Sequence, residues 1–224
     1  MTAVKICGIS EPQTLRTAID AGARFIGFVF YPPSPRFISL DTAHTLAHSI
    51  PTGVRSVGLF VDPDDALLER TLTSVPLDMI QLHGDESARR VADIKTRFAL
   101  PVIKAIRVAT QDDLDNIDAH ESATDWLLFD TKLETKSSNN PIIQSSNHPL
   151  PGGTGHSFDW ELLRDKRFKK PWMLSGGLTA DTVKEAIKLL NPDAVDVSSS
   201  VESTRGIKDN KKIKTFINAV KSND

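Results

Sequence analysis

Three observations predict that the 224 residues fold as one α/β domain, a closed (β/α)8 TIM barrel. Short apolar runs alternate eight times with amphipathic helical stretches, the order that builds a parallel sheet. Pro51, Pro76, Pro101, Pro171 and Pro192 each fall in the return loop before the next apolar run, where a residue that cannot continue a helix belongs. Finally, Lys5, Gln81, His83, Asp130, Asp196 and Ser198 share strands with apolar residues of opposite parity. A doubly wound open sheet is the competing architecture, but its strands are covered on both faces and read as continuously apolar. A closed barrel can gather polar groups at its C-terminal mouth.

The first strand, 4–9, points Val4 and Ile6 to one side and Lys5 and Cys7 to the other. Further strands are expected at 25–30, 55–61, 79–84, 102–108, 126–131, 172–177 and 194–200. Helices are expected near 11–21, 40–49, 63–74, 86–98, 111–121, 159–168, 180–190 and 210–221. Asp62-Pro63, Asp85 and Thr179 supply start signals for the third, fourth and seventh of these. Val183, Ala186, Ile187 and Leu190 recur at helical spacing, as do Ile213, Phe216, Ile217 and Val220. Between 132 and 151 the polar runs Ser137-Ser138-Asn139-Asn140 and Ser145-Ser146-Asn147 read as a long loop, either a lid or a disordered stretch.

Composition bounds the partners. A hydrophobic fraction of 39% and a charged fraction of 25% fit a soluble domain with a full core. A formal net charge of -2 makes no global case for nucleic acid or an acidic membrane. The single cysteine excludes an intrachain disulfide and suits a reducing compartment. No secretory leader is visible before the first strand, and no apolar run approaches the roughly 20 residues of a membrane span. A cytoplasmic location is therefore expected.

Barrel chemistry collects where strands end. Those ends carry Cys7, Arg36 in Pro33-Ser34-Pro35-Arg36, Gln81 with His83, Arg107, Asp130, Ser175-Gly176-Gly177 and Ser198-Ser199-Ser200. Glycines and serines after strands 7 and 8 suit a phosphate held on backbone N–H groups, although Gly-Gly alone also marks a tight turn. Asp130 reads by default as a helix-cap or surface-loop aspartate; the functional reading is a general acid kept protonated by burial. Arg36, stiffened by two prolines, suits a carboxylate; the alternative is a solvated arginine. His83 fits a structural histidine or a ligand contact equally and a base less well, and Cys7 taken alone fits a buried small hydrophobe ahead of a base. His44 and His48 lack a third ligand, and the basic cluster Lys208, Lys211, Lys212 and Lys214 reads as the wet side of the last helix.

In order along the chain stand Lys5-Ile6-Cys7-Gly8-Ile9, Gly27-Phe28-Val29-Phe30, Ser34-Pro35-Arg36, and Gln81-Leu82-His83-Gly84. They are followed by Gly152-Gly153-Thr154-Gly155 with Phe158-Asp159-Trp160, Ser175-Gly176-Gly177-Leu178, and Val195-Asp196-Val197-Ser198-Ser199 with Val201-Glu202. This ordered set resembles the phosphoribosylanthranilate isomerase family nearly end to end. The resemblance implies an Amadori rearrangement of a phosphosugar bearing an anthranilate group, without metal or organic cofactor. It implies Asp130 as general acid, Cys7 as general base and Arg36 on the anthranilate carboxylate. Gly176, Gly177, Ser198 and Ser199 would hold the phosphate, and Lys5, Gln81, His83, Gly153 and Gly155 complete the expected substrate-binding set. Lys5, two residues earlier on the same face, is one candidate source of the electropositive surroundings a thiolate needs. Two departures stand out. Ser200 replaces a usual glycine, which strains the loop if φ there is positive, and Arg205 replaces a usual proline. A histidine-pathway isomerase would carry aspartate in place of Cys7, and a non-catalytic phosphosugar-binding barrel would need none of Cys7, Asp130 or Arg36. Monomer and homodimer are both compatible with the sequence.

Overall fold

Val4 and Ile6 pack outward into the helix-facing core, while Lys5 and Cys7 point to the barrel axis. The same alternation runs around all eight strands of the computed structural model, which describes residues 1–132 and 159–222. The strands are β1 (Ala3–Cys7), β2 (Phe25–Val29), β3 (Arg55–Phe60), β4 (Met79–Leu82), β5 (Val102–Val108), β6 (Trp126–Thr131), β7 (Trp172–Leu174) and β8 (Ala194–Val197). They pair in sequence order as a closed parallel barrel, with β8 returning to β1. The helices are α1 (Pro12–Ala21), α2 (Leu40–Ala47), α3 (Asp65–Ser74), α4 (Ala88–Phe98), α5 (Ile117–Ala123), α6 (Glu161–Arg164), α7 (Val183–Leu190) and α8 (Asn210–Lys221).

The interior is graded along its axis. Phe25, Val57, Met79, Ile103, Leu128, Met173 and Ala194, from the early part of their strands, form an apolar floor. One step further along come Lys5, Gln81 and Asp196, all buried. Cys7, Val29 and Leu59 close the next layer towards the mouth. Dispersion and apolar burial hold the floor, so polar groups are confined to the end where loops can satisfy them. Outside, Ile213, Phe216, Ile217 and Val220 of α8 are all buried, as their spacing predicts, and α8 packs on α1 to complete the ring.

The departures from expectation have local causes. Helix 111–121 is split into a 3-10 turn, Gln111–Leu114, and α5, because the Asp113 carboxylate accepts from the N–H groups of Ala109 and Thr110 and tightens the start. The expected helix 159–168 shortens to the single turn α6. β7 stops at Leu174 because Gly176 and Gly177 take positive φ. After β8 comes a 3-10 turn, Ser199–Val201, then an unforeseen hairpin of β9 (Glu202–Thr204) and β10 (Ile207–Lys208). Lys208 is therefore corrected: it lies in β10, 6% exposed, and not on the wet face of the last helix. Lys211, Lys212 and Lys214 are exposed as expected. His44 and His48 are exposed, each with Nδ1 on a backbone carbonyl oxygen. No helix among the described residues is long and apolar enough to cross a membrane. The loop expected at 132–151 lies, apart from Lys132, outside the described residues, as do Gly153 and Gly155.

Candidate active site

Cys7 ends β1 against Gly27 of β2, its register partner. A Cβ at position 27 would stand 3.0 Å from Cys7 Sγ and 3.3 Å from Lys5 Nζ, so a residue without a side chain lets both groups occupy the interior. Lys5 and Asp196 are register partners across β1 and β8, and Lys5 Nζ donates to Asp196 Oδ1 at 2.8 Å. Ser175 Oγ donates to Asp196 Oδ2 at 3.3 Å, and Ser198 Oγ to the Cys7 carbonyl at 3.0 Å. Burial works against the Lys5 ammonium, but Asp196 and Cys7 outweigh it and raise its pKa. The Cys7 thiol is pushed up by burial, with Asp196 adding to the rise, against the opposing pull of Lys5 and Lys208. Lys5 thus acts in the expected direction, but the expected net lowering is corrected. Desolvation dominates, and the neighbouring carboxylate offsets part of the lysine's effect.

Across the mouth, β6 presents Asp130, 4% exposed. Its Oδ1 accepts from the Thr131 N–H at 2.8 Å, and its Oδ2 lies 3.1 Å from His83 Nε2. His83 Nδ1 is 2.8 Å from Gln81 Nε2. With the amide donating to Nδ1, the neutral ring carries its proton on Nε2 and donates it to Asp130. Gly176, at φ 86°, lays the β7 loop directly on this acid: a Cβ there would collide with Thr131 Oγ1 and stand 3.3 Å from Asp130 Oδ1. The N–H groups of Gly176, Gly177 and Ser199 donate no hydrogen bond among the described residues. They remain available to an anion between the loops after β7 and β8. Ser200 does not take positive φ; its hydroxyl donates to the Leu178 carbonyl at 2.5 Å and ties those two loops together. Arg205 is exposed.

Cys7, Arg36, His83, Asp130, Ser175, Asp196 and Ser198 line one cavity with Tyr31, Val29, Leu59 and Val61. Lys5 and Gln81, expected at the ligand, do not line it; both are fully buried one layer below, holding residues that do. Arg107 turns instead to Asp85. A roomier cavity of about 490 Å³, between the β2 and β3 loops, is lined by Phe30, Phe37, Ile38, Leu40 and Leu67 with Asp62, Asp64 and Arg70, and by no cysteine, serine or histidine. Arg36 is only 7% exposed, and its guanidinium is gripped by Glu202 at 2.7 and 3.0 Å. Glu202 also accepts from Lys208 at 2.6 Å and from the Gly206 N–H at 3.0 Å. Sequence reading missed the roles of Glu202 and Lys208. The available signal was Thr204-Arg205-Gly206, a turn that interrupts the approach to the last helix.

A closed parallel barrel with an acid, a thiol and unengaged loop N–H groups converging at its C-terminal mouth defines a barrel enzyme acting on an anionic small molecule. The family model for N-(5'-phosphoribosyl)anthranilate isomerase matches residues 4–219. Relatives of that name from Paracoccus denitrificans and Rhodospirillum centenum are each 50% identical, over 96% and 92% of this chain and 94% and 92% of their own lengths. The crystal structure of the Thermotoga maritima enzyme superposes with a TM-score of 0.84 at 36% identity, covering 99% of this chain and 100% of that one. Another neighbour, at TM-score 0.81 and 34% identity, is a phosphoribosyl anthranilate isomerase in complex with reduced 1-(o-carboxyphenylamino)-1-deoxyribulose 5-phosphate. The chain belongs to the N-(5'-phosphoribosyl)anthranilate isomerase family, the isomerases of tryptophan biosynthesis.

Proposed function

We propose that Asp130 is the general acid and Cys7 the general base of the Amadori rearrangement of N-(5'-phosphoribosyl)anthranilate to 1-(2-carboxyphenylamino)-1-deoxyribulose 5-phosphate. The supporting observation is that the two groups, from β6 and β1, line one cavity. Asp130 gives its proton to the ribose ring oxygen as the C1–O bond breaks, leaving an iminium between C1 and the anthranilate nitrogen. The Cys7 thiolate then takes the C2 proton. The C–H electrons form the C1–C2 double bond, and the iminium pair returns to nitrogen as an enolamine. Tautomerisation of the C2 enol, with protonation at C1, gives the ketone.

Placement supports each assignment. His83 and the Thr131 N–H hold Asp130 in one orientation as its charge appears. Lys5 exerts the largest pull on the thiol of any cation, working towards the thiolate against the burial that pushes the thiol up. Arg36 receives the anthranilate carboxylate, and the N–H groups of Gly176, Gly177 and Ser199 receive the phosphate. Following anthranilate fluorescence during turnover tests the roles. Cys7→Ala and Asp130→Ala are each expected to slow the reaction at least about a hundredfold, and a smaller loss refutes the role of the residue concerned.

A further inference from the structure

Arg36, Glu202 and Lys208 form a buried row of three charges, each residue 6–7% exposed. Glu202 stands between two cations: Arg36 Nε and Nη2 reach its two oxygens, and Lys208 Nζ reaches Oε1 at 2.6 Å. Burial alone would raise the Glu202 carboxyl, but Arg36 and Lys208 hold it down at about 2, so it is ionised at neutral pH. Burial lowers the Lys208 pKa, with Glu202 opposing it, and its Nζ faces three oxygen acceptors that favour the ammonium; in that form the row carries one surplus positive charge. Arg36 lines the cavity, and its remaining nitrogen, Nη1, has no hydrogen-bond partner among the described residues. Lys208 does not line the cavity; its ammonium is spent on Glu202 and on the carbonyl and hydroxyl oxygens of Ser198 at 3.0 and 3.1 Å.

We propose that Lys208 is a positioning residue for carboxylate recognition. It neutralises the charge of Glu202, so that the carboxylate orients the Arg36 fork without cancelling its attraction for the ligand's ring carboxylate. This inference rests on the reading above that Arg36 receives that carboxylate. Without Lys208, Glu202 and Arg36 form a closed neutral pair, and a ligand carboxylate gains little by joining it. Lys208 thereby sets the preference for an aromatic amine bearing an ortho carboxylate over one without it, from a strand that does not line the cavity.

The test uses two probes: reduced 1-(o-carboxyphenylamino)-1-deoxyribulose 5-phosphate and its anilino counterpart lacking the carboxylate. Binding of each is measured by calorimetry to wild type, Lys208→Met and Lys208→Gln, with thermal unfolding as the fold control. Gln keeps hydrogen-bonding capacity towards Ser198 and Glu202 while removing the charge, and serves if the Met variant does not fold. Both variants are expected to lose roughly tenfold of the preference for the carboxylated probe, the scale of one charge-assisted hydrogen bond. Binding of the anilino probe stays within about twofold, and turnover shows a raised KM; kcat also reads the pull of Lys208 on the Cys7 thiol, so the preference between the two probes decides the test. Equal weakening of both probes, or an unchanged preference, overturns the inference. Absence of any preference in the wild type overturns the Arg36 reading itself, and this inference with it.

Discussion

The two walls of the active-site mouth are built on different physics. On the β1–β8 side the charged groups hold one another: Lys5 on Asp196 beneath the thiol, and both Arg36 and Lys208 on Glu202 beside it. On the β4–β6 side the acid is held by a hydrogen-bonded chain, Gln81 to His83 to Asp130, with no lysine or arginine in it. A buried ion pair sets a strong local field but leaves a large penalty when one member is lost. A chain of amide, imidazole and carboxyl orients a proton without fixing a charge, which suits a group that must release one. The base wall should therefore be brittle and field-sensitive, and the acid wall tolerant of substitution beneath the acid itself.

Removing one member of the buried pair gives the largest expected effect. Lys5→Met leaves the Asp196 carboxylate buried without its partner and should cost about 3–5 kcal/mol in urea unfolding. The same variant should drive the Cys7 thiol still higher, read as a rightward shift in the pH dependence of iodoacetamide labelling; an unmoved curve refutes the influence of Lys5. Next comes the acid. Asp130→Asn keeps the side-chain shape and should lower turnover by about a hundredfold or more while leaving stability within about 1 kcal/mol, the opposite split from Lys5→Met.

A milder change on the acid wall is Gln81→Leu. It strips a donor from His83 but also removes an amide oxygen that is already buried without a partner among the described residues. Its net cost should be about 1 kcal/mol, far below that of Lys5→Met. A further signal is a pH dependence. The Glu202 carboxyl is lowered from the usual 4.5 to about 2 on folding, so its contribution is fully present above about pH 4.5 and is lost as pH falls towards 2. Chemical denaturation from pH 5 to pH 2 should show a shallower stability loss in Glu202→Gln than in wild type.

Strand parity on β1 was readable directly: Val4 and Ile6 against Lys5 and Cys7 leave one arrangement in which apolar groups meet helices. The alternation of β and α segments and the spacing on α7 and α8 were equally legible, because each depends on residues within one or two turns. Cys7, Asp130, Arg36 and His83 were named because they stand in or after strand ends, and those four line one cavity. Lys5 and Gln81 were placed at the ligand, because alternation tells which way a side chain points but not how deep along the axis its layer lies. Lys208 was misread because its charge pattern merges with that of α8, and only the hairpin turned at Gly206 separates them.

The amino-acid order by itself determined the number of βα units, the inward residues of each strand and the family. Those follow from local periodicity and from motifs contiguous in the chain. Closure of the ring decided the rest, since only β8 returning to β1 sets Asp196 against Lys5, residues 191 positions apart. The same closure sets Glu202 on Arg36 across 166 positions and places a carboxylate beside each cation near the thiol. The state of the Cys7 thiol is the sum of burial and those fields, and neither exists before the barrel closes.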